Sequence, residues 1–290
     1  MKNQRVKQPV ITDAEISKVE RYARDIKAGG YRPWVTVRQS HTHGQGQIVH
    51  SYKTGREHHL LSRGERLPFF AFEHDPTVID IMEQYPLPLH QTLEIAASLN
   101  IVHPGNYKER AKFDGLIPAK TMTQDFVIIR RTNKDKLILT PYSFKYAAAL
   151  DPAVTNPRVV SRTREKEQIA IEYWRTQKID HVLITEQHFN ENYIYNLIFL
   201  RECFDKPEYI QTTTDMYHVM LRDFRHHLIH SPSSTLLILV KKVSQGLNIP
   251  DVQVLSVFQY AVYSHQLKVD LTQRIELYRP VPSLEVDYAN

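Results

Sequence analysis

Three side chains at separate places in the sequence have the chemistry of a phosphodiester-cleaving site. Glu65, Asp125 and Lys145 combine two carboxylates with one ammonium group. Carboxylate oxygens are preferred ligands of a hard cation such as Mg²⁺, and a nearby positive charge offsets the charge that develops on a phosphoryl group under attack. These residue types predict metal-dependent hydrolysis of a nucleic-acid backbone if the fold brings them together.

The surroundings of Lys145 suggest a further ligand. We predict a β-strand here, in which Ser143 and Lys145 share one face and Phe144 points to the other, so that the Phe144 main-chain carbonyl is available to a metal. Asp125 and this carbonyl would hold the principal Mg²⁺, and Glu65 would hold a second ion or position its water. Lys145 would orient or help to deprotonate the attacking water. One or two ions fit this set, with Mn²⁺ as a substitute.

Each of these residues also has a simpler structural explanation. Ser62-x-x-Glu65 is a capping box, in which Glu65 bonds only the start of its own helix. Asp125 near a strand start is typical of a turn or cap residue, and Lys145 of a solvated edge strand. Their joint order and spacing favour the catalytic interpretation.

The predicted elements place the three residues as a nuclease core requires. The order is helix, three strands, helix, strand, which predicts a compact mixed α/β layer. Glu65 takes the third position of the first helix, Asp125 lies on the second strand and Lys145 on the third. The predicted elements are a helix from Ser62 to about Glu73, strands Val78–Tyr85, Met122–Arg131 and Lys136–Tyr146, a helix Arg162–Lys178 and a strand His181–Thr185.

Flanking segments complete the first of two predicted domains, residues 1–205. A capping box at Thr12-Asp-Ala-Glu15 opens an amphipathic helix that ends at Gly29-Gly30. Trp34–Val37 is predicted as a strand, and Gln47–Ser51 with Glu57–Leu61 as a hairpin.

The second predicted domain, residues 206–290, has the pattern of a winged helix. Three helices precede a predicted β-hairpin, but no Lys or Arg occurs from Val243 to Leu267, which includes the whole third helix. Because recognition helices normally meet phosphates with basic side chains, we expect this domain to bind protein. The predicted helices are Thr214–Ile229, Ser233–Gln245 and Asp251–Ser264, and the predicted hairpin strands are Gln266–Asp270 and Arg274–Tyr278.

Composition excludes several classes of function. With nine glycines, none in a GxxxxGK[ST] or GxGxxG pattern, the chain has no nucleotide-binding fingerprint. The single cysteine, Cys203, excludes an internal disulfide framework and paired-thiolate zinc sites. The longest apolar run, Leu236–Val240, is too short to span a membrane, and the N-terminus lacks a secretion signal, so we expect a cytoplasmic protein.

Positive charge indicates an anionic partner. The net charge is +5, and residues 1–150 hold 22 Lys and Arg against 15 Asp and Glu, so the excess lies in the first half. We expect side chains here to contact the phosphates of double-stranded DNA. The candidates are Arg56, His58, His59, Arg63, Arg66, Arg130 and Arg131. Paired histidines such as His41-x-His43 and His226 with His230 lack a third ligand, and we expect no zinc site.

Several motifs resemble the N-terminal domain of the TnsA family, the endonuclease subunits of heteromeric transposases of Tn-seven-type transposons. The resemblance spans about residues 30–200. It rests on Tyr31-x-Pro-Trp34-Val-Thr-Val37, the run Ser51–Ser62, Val78-Ile-Asp-Ile-x-Glu-Gln-Tyr-Pro86, Met122-Thr-x-Asp-Phe126, Lys145-x-Ala-Ala-Ala-Leu150, and Glu172-Tyr-Trp174 leading to Ile184-Thr185.

The resemblance implies a restriction-endonuclease-like PD-(D/E)xK core followed by a winged-helix domain. The family's catalytic Glu, Asp and Lys fall on Glu65, Asp125 and Lys145. Its Gln position is Ser143 here, and a shorter hydroxyl is a weaker metal ligand, so that a water or the Phe144 carbonyl would take its place.

The resemblance also implies a function at transposon ends. The protein would cut the 5′ ends while the transposase TnsB cuts and joins the 3′ ends, and the AAA+ regulator TnsC would take part in target choice. Two alternatives remain open: a stand-alone restriction-type nuclease on the same fold, and a catalytically weak scaffold that bridges TnsB, TnsC and DNA.

Overall fold

The computed structural model describes residues 6–40, 45–205, 207–210 and 212–285. The chain divides into two compact units, Met1–His188 and Phe189–Asn290. His41 and His43 lie outside the described residues. Among the helices that the structure describes, none is both long and apolar enough to cross a lipid bilayer.

Elements of the N-terminal unit follow the order predicted from the sequence. The helix, three strands, helix and strand of the predicted core are all present, and Thr92–Ser98, whose pattern also predicts a helix, lies in a helix after the first strand of the sheet. The bounds are α1 Asp13–Gly29, β1 Gln47–His50, β2 Glu57–Leu60, α2 Arg66–His74, β3 Val78–Pro86, α3 Leu89–Ser98, β4 Thr123–Arg131, β5 Leu137–Phe144, α4 Pro157–Thr176 and β6 Val182–Ile184.

The four-stranded sheet β3-β4-β5-β6 forms the centre of this unit. Strands β3, β4 and β5 pair antiparallel, and β6 pairs parallel to β5, with Phe126 of β4 opposite Tyr142 of β5 and Tyr142 opposite Val182 of β6. Phe126, Val127 and Ile128 are fully buried because both faces of β4 are covered. Trp174 of α4 packs on this sheet beside Val127. The central strand is therefore a rigid support for polar groups at its end.

The predicted strand Trp34–Val37 is wrong. Trp34 lies in a bend and Val37–Gln39 form a 3₁₀ turn. Instead of forming a strand that pairs with a sheet, this segment packs through its side chains. The Trp34 ring contacts Tyr22 of α1 edge to face, with 5.1 Å between the ring centroids. Such packing produces the same alternation of residue types as a half-buried strand. The predicted hairpin is confirmed as β1 and β2.

The C-terminal unit is helical. Its helices are α5 Glu191–Arg201, α6 Pro207–Ile210, α7 Thr214–His230, α8 Leu236–Leu247 and α9 Asp251–Tyr263, so the three helices predicted for this region are present. Leu200 of α5 belongs to the same core as α7, α8 and α9, and Cys203 just after α5 is fully buried. Because α5 packs in the core of the C-terminal unit, the boundary between the two units lies before Phe189, and not after Asp205 as predicted.

The predicted hairpin that completes a winged helix is not formed as expected. Residues 274–278 have no strand conformation. Instead, Asp270 N donates to the Pro282 carbonyl and Leu284 N to the Lys268 carbonyl, both at 2.8 Å. The intervening carbonyl of Leu277 accepts from Leu237 N at the start of α8. The intervening segment therefore bonds a helix terminus, and the winged-helix assignment stays a prediction.

Candidate active site

Lys145 stands at the centre of the candidate active site. Its Nζ donates to Asp125 Oδ2 at 2.8 Å and to the Phe144 carbonyl at 3.0 Å, and it lies 3.0 Å from Glu167 Oε1. Burial disfavours the charged form, but the carboxylates of Asp125 and Glu167 outweigh this and raise the pKa of Lys145 above its ordinary value. Lys145 is therefore a fixed positive charge.

Strand ends bring these groups together. Asp125 precedes the buried Phe126 in β4, and its Oδ2 also accepts from Phe144 N at 2.8 Å. Lys145 directly follows β5, and its own N–H donates to the Ile184 carbonyl of β6 at 3.0 Å. The end of β5 is thus held on both sides, by a carboxylate of β4 and by the main chain of β6.

Glu65 lies in the turn before α2, not at the third helical position that was predicted. Its Oε2 accepts from Leu61 N at 2.9 Å and its Oε1 from Ser62 Oγ at 3.0 Å. Burial, and then the negative charge of Asp125, raise the pKa of Glu65 to about 7. The Glu65 carboxylate therefore bonds the turn before α2, and it also lies close enough to Asp125 to feel its charge.

Gly64 lets this turn approach the end of β5. A Cβ atom at position 64 would overlap the Phe144 ring and lie 2.9 Å from Cζ of Tyr146. The Phe144 ring is itself buried. A residue without a side chain is therefore needed for Glu65 to reach the Asp125–Lys145 pair.

Ser143, at the position of the family's Gln, is engaged by other side chains. Gln124 Nε2 donates to its Oγ at 3.0 Å, and His181 Nε2 lies 3.0 Å from the same oxygen. Gln124 Oε1 in turn accepts from Trp174 Nε1 at 2.8 Å. Burial lowers the pKa of His181. The Ser143 hydroxyl thus belongs to a buried polar network beside Lys145.

Three residues of this site were missed from the sequence: Gln124, Glu167 and His181. Glu167 had a usable signal, because it precedes Ala170 and Trp174 by three and seven residues and so lies on the buried face of α4. A carboxylate on such a face needs a cationic partner, and Lys145 provides it. Gln124 and His181 carry no comparable signal.

Two of the predicted DNA-binding residues have structural partners instead. Arg56 Nη1 bonds Glu83 Oε2 at 3.0 Å, and its Nη2 donates to the Ile81 carbonyl. His58 is fully buried between Glu83 Oε2 at 2.8 Å and Thr54 Oγ1 at 2.7 Å. Both side chains bond the buried Glu83, and His58 has no exposed surface to offer a phosphate, whereas DNA contact by the partly exposed Arg56 stays a prediction.

The other predicted DNA-binding residues differ in their contacts and exposure. His59 accepts from Val37 N at 3.3 Å, and the Arg66 guanidinium lies 5.9 Å from the Phe70 ring centroid. Arg130 bonds Asp75 at 3.4 Å and lies over two aromatic rings. Arg63 is exposed, and Arg131 is exposed beside Asp135 at 3.5 Å. DNA contact by these five residues stays a prediction.

The donor atoms present suit a hard cation. No three His, Cys, Asp or Glu side chains gather into a metal site within the described part of the chain. The available set is the carboxylates of Glu65 and Asp125 with the Phe144 carbonyl, all oxygen donors of the kind Mg²⁺ takes. Glu167 Oε2 is also buried without a hydrogen-bond partner. Repulsion between Glu65 and Asp125 is what a bound cation would relieve.

Comparison with known proteins finds relatives of this part of the chain. Residues 75–186 match the family model described as TnsA-like endonuclease N terminal. The match includes Asp125, Lys145 and Glu167 and begins after Glu65. The chain is also 31% identical over 175 residues to the Transposon Tn7 transposition protein TnsA of Escherichia coli, covering 58% of this chain and 57% of that protein.

The chain thus spans somewhat more than half the length of this relative. Its N-terminal unit has the mixed α/β, restriction-endonuclease-like fold of TnsA-like endonuclease domains. Residues 75–186 therefore match a TnsA-like endonuclease domain, and the chain is similar to a TnsA protein over 175 residues.

Proposed function

We propose that this protein is the metal-dependent DNA endonuclease subunit of a heteromeric transposase and cleaves the 5′ ends of the element. The observation that carries the proposal is the position of Lys145 Nζ between Asp125, Glu167 and the Phe144 carbonyl. A charged lysine fixed among carboxylates suits stabilisation of a phosphoryl group under attack. The similarity to a transposition protein supports the transposon end as substrate.

The carboxylates of Glu65 and Asp125 and the Phe144 carbonyl would hold Mg²⁺, as one or two ions, or Mn²⁺ in its place. Bound there, the metal would supply a polarised phosphoryl oxygen and an activated water. Lys145 holds its proton because two carboxylates stabilise its charge. The geometry therefore favours a lysine that orients the attacking water and offsets the charge on the phosphoryl group. It disfavours a lysine that removes a proton from that water.

Partners follow from the same proposal. TnsB would cut and join the 3′ ends, and TnsC would engage the C-terminal unit, all in the cytoplasm. Helix α9 contains no Lys or Arg, which supports a surface for protein and not for the DNA backbone.

A reconstituted transposition reaction with TnsB, TnsC and Mg²⁺ tests the proposal. The Lys145→Ala variant should convert simple insertions into cointegrates, because the 5′ strands stay uncut. The matched control is Lys178→Ala, at an exposed lysine two residues after the end of α4, which should give simple insertions. Circular dichroism should show that both variants are folded.

The opposite outcome is informative. If folded Lys145→Ala gives simple insertions as wild type does, this site is not the nuclease and the scaffold function gains support. Sequence-specific cutting by the protein alone would instead favour a stand-alone nuclease.

A further inference from the structure

A cleft of about 460 Å³ opens beside the candidate active site, within the N-terminal unit. Its lining includes Ser143, Lys145 and Glu167 of the candidate site, and also three cationic residues: Lys120, Arg162 and Lys166. None of these three was predicted to bind DNA. The cleft therefore contains three positive charges in addition to the candidate catalytic lysine.

These charges are incompletely neutralised. Neither the Lys120 nor the Lys166 ammonium forms a hydrogen bond or ion pair with a described residue. Arg162 bonds Glu165 through Nη1 at 2.9 Å, which leaves further N–H donors on the guanidinium. The acidic residue of the lining, Glu167, is paired with Lys145 at 3.0 Å.

Mutual repulsion accompanies this arrangement. Loss of hydration lowers the pKa of Lys166, and the positive charges of Arg162, Lys120 and Lys145 lower it further. The negative charge of Glu167 opposes this only in part, and an anion placed among the three cationic groups would reduce the remaining repulsion.

The backbone under these side chains is fixed. Lys120 N donates to the Pro104 carbonyl at 3.0 Å, next to Ala119, whose N donates to the Val10 carbonyl at 2.7 Å. Arg162 and Lys166 are one helical turn apart on α4, the helix that supplies Glu167. The spacing between the cations and Lys145 is thus set by rigid elements.

We propose that this cleft is a phosphodiester subsite, in which Lys120, Arg162 and Lys166 hold the DNA strand next to the bond to be cut. The inference rests on the proposed function, since it assigns the strand that the nuclease cleaves. Tyr107 lines the same cleft with 56% of its surface exposed, and its ring offers a face for a sugar or base.

Equilibrium binding of a fluorescent DNA duplex to the full chain tests the subsite without cleavage. The measurement is made in EDTA over a range of salt concentrations. The variant Lys120→Gln/Lys166→Gln removes the two ammonium groups that lack partners. Its matched control, Lys241→Gln/Lys242→Gln, removes the same charge from exposed positions of α8.

We expect the cleft variant to bind DNA more weakly than wild type. The slope of log affinity against log salt concentration should become less steep by about 2, because each lost phosphate contact changes it by about 0.9. The control should keep the wild-type slope. Equal slopes for wild type and cleft variant, or no binding by wild type at low salt, would overturn the subsite. Because no cleavage is measured, these results are independent of whether Lys145→Ala changes the transposition products.

Discussion

At the scale of single residues, Lys145 receives one oxygen atom from each of three elements. Asp125 comes from β4, the Phe144 carbonyl from β5 and Glu167 from α4. A charge that is largely withdrawn from water is stable only with such partners, and removal of one partner leaves the others with an uncompensated charge. The position of the ammonium group is therefore determined by the fold and not by the flexible side chain.

Ser143 provides a test of which oxygen atoms are ligands. We expect Ser143→Ala to lower the free energy of unfolding by about 1–2 kcal/mol, because Gln124 Nε2 loses its acceptor. The initial rate at which simple insertions form in the reconstituted reaction should stay within about tenfold of wild type, a loss of less than about 1.4 kcal/mol in transition-state stabilisation.

Urea unfolding measures the stability, and Ser98→Ala, at an exposed serine of α3, is the control. A folded Ser143→Ala protein that gives cointegrates would show that the hydroxyl acts directly in cleavage.

Gly64 tests the approach of the Glu65 turn to β5. Gly64→Ala should destabilise the protein by about 1–3 kcal/mol, because its Cβ would overlap the buried Phe144 ring. The control is Gly246→Ala, where no atom lies within 4 Å of the added Cβ and a helix favours alanine. A urea midpoint for Gly64→Ala equal to that of wild type would contradict the packing described here.

Part of the candidate site could be predicted from residue types and from the order of the elements that carry them. Asp125 and Lys145 were predictable because each occupies a fixed place in a recognisable order of elements. His58 was misassigned because a buried histidine bonded to a buried carboxylate, here Glu83, has the same residue type as an exposed phosphate ligand. Gln124 and His181 were missed because their role depends on partners that are distant in sequence.

At the scale of elements, the order of helices and strands was predictable and the ends of elements were less so. Periodicity identifies a helix or strand from many residues, whereas its end depends on a few local bonds. Helix α2 begins after Glu65 because the Glu65 carboxylate bonds Leu61 N and Ser62 Oγ in a turn. The segment at Trp34 was misassigned because tertiary packing imitated the pattern of a strand.

The loop between α3 and β4 contains a histidine with a clear dependence on pH. His103 is fully buried, with Nδ1 2.9 Å from the Pro104 carbonyl and Nε2 3.0 Å from Thr92 Oγ1 of α3. Because a carbonyl only accepts, Nδ1 carries the proton of the neutral ring. Burial lowers the pKa of His103 to about 4.

Below its ordinary pKa of about 6.5 the unfolded chain binds a proton at His103 that the folded chain does not. Stability is therefore complete above this pH and is lost as pH falls toward 4, by up to about 3 kcal/mol at 1.36 kcal/mol per pKa unit. His103→Gln should lose less stability than wild type between pH 7 and pH 4.5, as measured by urea unfolding.

His90→Gln is the matched control, since His90 is 77% exposed in its side chain. It should follow the wild-type pH dependence. A His103→Gln protein with the same pH dependence as wild type would show that His103 is not held neutral by the fold.

At the scale of the whole molecule, the two units differ in charge. Residues 1–188 contain 28 Lys and Arg against 21 Asp and Glu, whereas residues 189–290 contain 9 against 11. The excess of positive charge thus belongs to the unit that carries the candidate active site. The sequence predicted this asymmetry correctly because charge can be counted without knowing the fold.

This asymmetry predicts how two fragments behave. Residues 1–188 should bind duplex DNA with a steep dependence on salt, and residues 189–290 should bind with almost none. Fluorescence anisotropy measures the binding, and circular dichroism establishes that each fragment is folded. Strong salt-dependent binding by folded residues 189–290 would contradict a protein-binding role for this unit.

The C-terminal unit also contains its own chemical reporter. Cys203 is the single cysteine of the chain, it is fully buried, and burial raises the pKa of its thiol to about 12. A thiol reagent will therefore react with the protein only when this unit opens. The rate of labelling at Cys203 measures that opening without an engineered cysteine, and a partner that binds and stabilises the unit will slow the reaction.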